Sequence, residues 1–222
     1  MCGIAGIIDF DHQKIDEKEA LSFFNAIDHR GPDASNYYFD EKKISFMGSK
    51  RLKILDFQNH ANQPMYNYNK DLILIYNGEI YNYLELKNEL IELGHKFNTV
   101  SDTEVLLRSY EQWGEKCLFK LDGMWAFAIW DNKKKKLFLS RDRFGEKPLY
   151  YKILKNRIYF ASELKAFLKL SNIQNLEYNS NYFLNLRDIE NTPETILKNV
   201  KNLNAGNNLI ICSLFSQIVA YR

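Results

Sequence analysis

Leu72-Ile73-Leu74-Ile75-Tyr76-Asn77-Gly78-Glu79 opens with five apolar residues that do not alternate with polar ones. A strand with one wet face reads with period two. An unbroken apolar run therefore predicts a strand covered on both faces, in a sheet lying between two other layers. The stretch closes on Asn77-Gly78, which has two readings. The dipeptide is a common tight-turn signal. Alternatively, the Asn77 amide and the Gly78 N–H point into a pocket as an oxyanion hole, where one donor is typically worth about 2.7–4 kcal/mol of transition-state stabilisation.

Outward from this strand the pattern is mixed α and β, dominated by strands. Apolar runs predict strands over residues 4–10, 37–39, 44–47, 52–55, 124–130, 137–141, 149–154 and 158–161. Helical spacing predicts a helix over 17–27 with Ala20, Phe23, Phe24 and Ile27 on one face. A second, over 83–93, turns Leu86, Leu90 and Ile91 inward and is capped by Gly94; a third over 101–113 stops at Gly114, and a short one covers 163–170. Arg30-Gly31-Pro32-Asp33 is a loop, since proline pushes its predecessor out of helical geometry. After residue 170 asparagine becomes frequent and apolar periodicity weakens. The expected organisation is a domain over 1–170 and a linker or tail over 171–222, with one last apolar strand at 209–214.

Composition bounds the function. The chain has 222 residues, 45% of them hydrophobic, with 15 Phe, 14 Tyr and 3 Trp, which is ample for one large core. Thirty Lys+Arg against 28 Asp+Glu leave a net charge of only +2, so neither a nucleic-acid nor a membrane partner is expected. Lys133-Lys134-Lys135-Lys136 sits between two apolar runs and reads as a solvated hairpin turn. Cys2, Cys117 and Cys212 lie far apart, which argues for a reducing compartment and against a disulfide framework or a metal site. Asp9 and Asp11 interrupt the first apolar run, no signal peptide is evident, and a cytoplasmic protein is expected.

Cys2 follows the initiator methionine. Removal of Met1 would place a thiol beside its own α-amine, with reference pKa values of about 8.5 and 7.7–8.0. The amine could then draw the proton from the sulfur, the logic of an N-terminal nucleophile; the alternative is a buried cysteine at a strand start. Arg51 could clamp a carboxylate with its planar fork, or be a surface arginine at a strand edge. Ser101-Asp102-Thr103-Glu104 is a capping box in which Ser101 and Glu104 do the capping, leaving Asp102 to receive an ammonium group. A thiol, an oxyanion hole, an arginine and a carboxylate together fit amide hydrolysis on an amino acid, glutamine above all.

The ordered motifs Met1-Cys2-Gly3-Ile4-Ala5-Gly6, His29-Arg30-Gly31-Pro32-Asp33, Arg51-Leu52-Lys53-Ile54-Leu55-Asp56, Gln63-Pro64-Met65, Tyr76-Asn77-Gly78-Glu79-Ile80-Tyr81-Asn82, Ser101-Asp102-Thr103-Glu104, Asp122-Gly123-Met124-Trp125-Ala126-Phe127-Ala128 and Arg141-Asp142-Arg143-Phe144-Gly145-Glu146-Lys147-Pro148-Leu149-Tyr150-Tyr151 run from residue 1 to about 170. With them the chain resembles the class II glutamine amidotransferase domain, an N-terminal-nucleophile hydrolase, and most of all the N-terminal half of glutamine-hydrolysing asparagine synthetases. The resemblance implies an α+β fold, a four-layer αββα sandwich. It implies that Cys2 forms a γ-glutamyl thioester, that Asn77 and Gly78 stabilise the oxyanion, and that Arg51 holds the α-carboxylate. It places Asp102 and Glu79 near the α-ammonium and backbone groups of Leu52, Ile54 and Leu55 along the pocket. Arg30 and Asp33 are expected to order the loop beside the nucleophile.

Two departures stand out. Ser49 occupies a position where the family commonly has histidine, two residues before Arg51. No Ser-Gly-Gly-x-Asp-Ser loop is found, the motif by which the synthetase half binds ATP. The resemblance thus implies no cofactor for the glutaminase step, with ATP and Mg needed only in a synthetase domain absent from this chain. The implied partners are glutamine and that synthetase domain or subunit, and a homodimer is compatible with the family. Two other functions share the fold: ammonia supply to another acceptor, such as a sugar acid in polysaccharide biosynthesis, and a non-catalytic regulatory module.

Overall fold

The computed structural model describes residues 1–171, 178–179, 192–212 and 215–220. Two antiparallel sheets form its centre. The first has the order β10-β8-β9-β1-β3-β2, from β1 (Gly3–Asp9), β2 (Ala34–Phe39), β3 (Ser45–Arg51), β8 (Tyr150–Leu154), β9 (Arg157–Ala161) and β10 (Lys201–Asn202). The second runs β12-β11-β7-β6-β5-β4, from β4 (Met65–Tyr66), β5 (Leu72–Ile80), β6 (Gly123–Asp131), β7 (Lys136–Arg141), β11 (Asn207–Cys212) and β12 (Phe215–Ala220).

Three apolar cores separate four layers. α1 (Glu17–Asn25) and α4 (Leu164–Phe167) cover one face of the first sheet, where Phe23, Phe24 and Phe167 pack on Ala5, Ile7 and Tyr159. Ile4, Ile8, Met47 and Phe160 meet Ile73, Ile75, Ala128 and Trp130 between the sheets. α2 (Tyr83–Glu92) and α3 (Asp102–Trp113) cover the far face of the second sheet through Leu86, Leu90 and Leu106 against Leu74, Tyr76 and Phe127. Successive residues of β5 thus enter different cores, as its unbroken apolar run requires. The αββα order matches the sequence expectation. No helix among the described residues is long and apolar enough to cross a membrane.

Local signals set the helix ends. Asp16 caps α1 by accepting the Glu19 N–H at 2.9 Å. At the end of α2, Gly94 takes φ 92°, and the next N–H, from His95, returns to Leu90 O at 2.9 Å. Ile91, expected inward, is 50% exposed, because the buried face of this helix is carried by Leu86 and Leu90 alone.

Two further expectations differ from the structure, and one of two open readings falls away. Residues 52–55 form a loop rather than a strand, their backbone drawn aside by bonds to Cys2, Asp33 and Arg51. Asn77-Gly78 is no turn: β5 continues through both and stays paired with β6 from Leu72↔Asp131 to Ile80↔Gly123. Beyond residue 170 the chain adds β10 to the first sheet and β11 and β12 to the second, with Leu209 and Ile211 in the central core. Most of the stretch from 172 to 191, and residues 213–214 of the expected last strand, lie outside the described residues.

Coverage of β5 on both faces predicts equal sensitivity on each. Ile75→Ala and Leu74→Ala should each cost about 2–5 kcal/mol in urea unfolding, whereas Ile91→Ala should stay within about 0.5 kcal/mol. A small loss at Leu74 would mean that the helical layer does not cover the strand.

Candidate active site

Cys2 immediately precedes β1, and the pairing of Gly3 with Lys50 sets it beside the end of β3. Its thiol receives the Leu52 N–H at 3.4 Å and faces the Leu52 carbonyl at 3.6 Å. Burial pushes the thiol above its ordinary value; the Leu52 hydrogen bond, the N-terminal ammonium and Arg51 act against that rise, and Asp102 adds to it. Arg30 fixes the backbone here, its Nε donating to the Cys2 carbonyl at 2.8 Å while Nη1 pairs with Glu163 at 2.9 Å. Asp33 accepts the Lys53 N–H at 2.8 Å. Both residues order the segments flanking the thiol, as expected.

Across the cleft lies the free edge of β5. β4 is only two residues long and pairs with Ile73 and Leu74 alone, so the later part of β5 has no neighbouring strand on that side. Side chains replace it: Gln63 Oε1 accepts the Tyr76 N–H at 2.6 Å, and Asp102 Oδ2 accepts the Ile80 N–H at 3.1 Å. N–H direction alternates along an antiparallel strand, so the Gly78 N–H, midway between these two, points to the same edge. The ladder on the other side agrees, since Trp125, opposite Gly78, directs its own N–H and C=O to Asp142. Only glycine fits, because a Cβ would stand 2.2 Å from the Met124 carbonyl oxygen.

Asn77 faces the other way. By alternation its side chain shares the inner face with Ile73 and Ile75, the core that Ile4 enters from β1. It is 2% exposed and its Nδ2 makes no hydrogen bond among the described residues.

Asp102 is the first residue of α3. Ser101 is the N-cap, its hydroxyl accepting the Thr103 N–H at 3.1 Å. Glu104 does not close the expected capping box; it reaches further back to the N–H groups of Asn98 and Thr99, at 3.0 and 2.7 Å. Nor is Asp102 uncommitted, since Oδ2 also accepts the Tyr76 hydroxyl at 2.9 Å. Burial raises its carboxyl pKa despite the three donors from Ile80, Tyr76 and Thr103, and Glu79 adds to the rise.

Arg51 is buried rather than at the surface, and it shapes the loop that follows it. Nη2 donates to the carbonyls of Leu55 and Asp56 at 2.8 and 2.7 Å, and Nη1 to Asn62 Oδ1 at 2.9 Å. Ser49 is also buried on β3, with no hydrogen-bond partner for its hydroxyl among the described residues.

Cys2, Arg51, Leu52, Ile54, Leu55, Gly78, Glu79 and Asp102 line one cleft of about 410 Å³, partly open to solvent. Of the residues named from sequence, only Asn77 is not on its wall, although its neighbours Tyr76 and Gly78 are. Gln63, Tyr76, Ser101 and Thr103 line it too; from sequence Ser101 has a role only as a helix cap, and the other three have none. Tyr76 carried a readable signal: a hydroxyl at the end of an apolar run must find a partner when buried. The cleft offers a thiol, a strand-edge N–H, an arginine and two carboxylates, a set suited to attack on a carbonyl carbon in a zwitterionic ligand.

Residues 1–219 match the family described as glutamine amidotransferase domain. The chain is 39% identical over 216 residues to asparagine synthetase [glutamine-hydrolyzing] 1 of Bacillus subtilis, covering 95% of this chain and 33% of that protein. It is 39% identical over 168 residues to asparagine synthetase B [glutamine-hydrolyzing] of Escherichia coli, covering 75% and 30%. It therefore spans about a third of the length of these relatives. Among solved structures, the glutamine phosphoribosylpyrophosphate amidotransferase of B. subtilis superposes with a TM-score of 0.75 at 19% identity, over 100% of this chain and 49% of that one; the likeness is one of fold.

The electrostatics predict opposite shifts in thiol reactivity. In protein retaining Met1, with Cys212→Ser, alkylation of Cys2 by iodoacetamide should rise with a midpoint above 9.0. Asp102→Asn should lower that midpoint and Arg51→Ala raise it. Cys117 does not compete, being fully buried with its thiol pushed up to about 12. Shifts of the same sign in both variants would contradict the charge assignment.

Proposed function

The chain belongs to the glutamine amidotransferase domain family, and from that premise we propose that it hydrolyses glutamine to glutamate and ammonia through a thioester on Cys2. The observation that carries this reading is that the Cys2 thiol and the outward Gly78 N–H open onto the same cleft. With Met1 removed, the Cys2 α-amine takes the thiol proton. The thiolate attacks the side-chain amide carbon of glutamine, forming a C–S bond and placing the carbonyl electron pair on oxygen. The Gly78 N–H stabilises that oxyanion from the cleft wall, and the Asn77 amide, unpartnered on the inner face, joins it as second donor after a side-chain rotation toward the cleft. The ammonium returns its proton to the leaving nitrogen, the C–N bond breaks and ammonia departs. Water, deprotonated by the amine, then cleaves the thioester and releases glutamate with a regenerated thiol.

The two ends of the cleft orient the substrate. Arg51 provides positive charge for the α-carboxylate, and Asp102 with Glu79 provides negative charge for the α-ammonium. Leu52, Ile54 and Leu55 form the wall between, in a loop that Arg51 holds in shape. No cofactor enters this half-reaction. We assign the ammonia to asparagine synthesis from aspartate by a synthetase domain or subunit outside these residues, where ATP and Mg would act; the names of the relatives support this acceptor.

Purified protein should lack Met1 by intact mass and release glutamate from glutamine, and Cys2→Ala should abolish turnover. Asn77→Ala should lower kcat by about 10²–10³-fold with little change in KM, whereas Asp102→Ala should mainly raise KM. Parent-rate hydrolysis by Cys2→Ala would refute the thioester route.

A further inference from the structure

The loop after β7 carries a buried cation that the reaction as drawn does not use. Lys147 is only 8% exposed, and its Nζ has no carboxylate partner among the described residues; the one contact it makes is to Met1 Sδ, at 4.0 Å. Arg30 Nη2 reaches the same sulfur at 4.0 Å. The two cations therefore flank the residue whose removal would create the Cys2 α-amine.

The lysine is held firmly. Asp142 accepts the N–H groups of Phe144, Glu146 and Lys147 at 3.0 Å each, and Arg141 donates to the carbonyls of Gly145 and Lys147 at 2.5 and 2.8 Å. Gly145 takes φ 68°, which lets the turn close. A loop so fully bonded presents Lys147 in one place, and burying an ammonium without a counter-ion is costly.

We propose that Lys147 is a positioning residue for the nucleophile: its ammonium keeps the Cys2 α-amine, once Met1 is gone, in the neutral form that can accept the thiol proton. The inference rests on the thioester reading above. The other charges around the N-terminus are compensated or further committed. Arg30 is paired with Glu163, and Arg51 is bonded to its loop. Asp102 and Glu79 lie on the facing wall, and Asp102 already accepts bonds from Tyr76 and Ile80. Arg51 has no ion-pair partner among the described residues either, but its guanidinium is spent on the carbonyls of its loop, whereas the Lys147 ammonium bonds to no anion or carbonyl and meets only Met1 Sδ. A like charge nearby disfavours the protonated amine. An ordinary α-amine, at about 7.7–8.0, is mostly protonated at neutral pH and so a poor base.

The test separates this idea from turnover. In Cys2→Ala protein shown by intact mass to lack Met1, the α-amine is titrated by the pH dependence of its carbamoylation by cyanate. Its midpoint should lie below the ordinary range, rise by about one unit with Lys147→Met or Lys147→Gln, and stay low with Lys147→Arg. In the active enzyme, the acid limb of kcat/KM for glutamine should move by the same amount and be restored by Lys147→Arg. An amine midpoint unchanged by Lys147→Met and Lys147→Gln overturns the proposal, even if activity falls. Loss of glutaminase activity in the parent would instead refute the thioester reading and leave the amine titration standing.

Discussion

The site exists where the second sheet runs out of strands. β5 is nine residues long and β4 only two, so the N–H groups of Tyr76, Gly78 and Ile80 leave the sheet with no strand to receive them. Unpaired backbone donors away from water are costly, and the fold covers two of the three with side chains from different elements: Gln63 from the loop before β4, and Asp102 from the start of α3. The third faces the cleft. The same bonds fix the layers to one another, because Asp102 ties α3 to two points on β5 and Gln63 reaches both Tyr76 and Thr103. A pocket built this way is rigid without being closed.

The opposite wall uses the first sheet in a similar manner. Residues 3–8 of β1 pair with β3, and Ser162, just past β9, holds Ile4 from the other side: Ile4 N–H donates to its hydroxyl at 3.0 Å, and the Ser162 N–H donates to the Ile4 carbonyl at 2.9 Å. Glu163, the next residue, carries Arg30, and Arg30 carries the Cys2 carbonyl. Although burial alone would raise the Glu163 carboxyl, Arg30 and His29 hold it below its ordinary value. The thiol thus sits at the end of a strand anchored on both edges. Its freedom is confined to the residue before it.

Much of this was legible in the sequence because it rests on periodicity. The aliphatic run in β5 requires two covered faces, and the spacing of Ala20, Phe23, Phe24 and Ile27 finds the core under α1. What escaped depends on long-range partners. Asn77-Gly78 carries a turn signal, yet nine consecutive pairings with β6 outweigh a local dipeptide preference. Residues 52–55 look like a strand but are held as a loop by Arg51 and Asp33. β10 was hidden by its shortness and polar content, and it gains order from β8, more than forty positions away in sequence; β11 overlaps the apolar strand expected over 209–214, but its place beside β7 has no local signal. Gln63 has no local pattern at all; its role appears only once the adjoining strand is seen to stop.

The raised carboxyl of Asp102 has a consequence for the proposed substrate. Burial favours its neutral form, while an α-ammonium in the cleft would favour the carboxylate. Ligand binding is then linked to proton release from Asp102 in a window whose upper edge is its raised value. Below that window the folded protein holds the proton and the ammonium end of glutamine meets a neutral acid. Above it the carboxylate is already present and binding releases nothing. Stability runs the other way, since a carboxyl raised in the fold contributes stability that is present below 3.8 and is lost as pH rises through the folded value. Tyr76 sharpens the conflict: its hydroxyl supports the ionised carboxylate, while burial, reinforced by that negative charge, raises the tyrosine itself well above 10.0 and keeps it a donor. Burial and the donors of Tyr76 and Ile80 thus pull the Asp102 carboxyl in opposite directions, in the manner of a group kept for a ligand rather than for the fold.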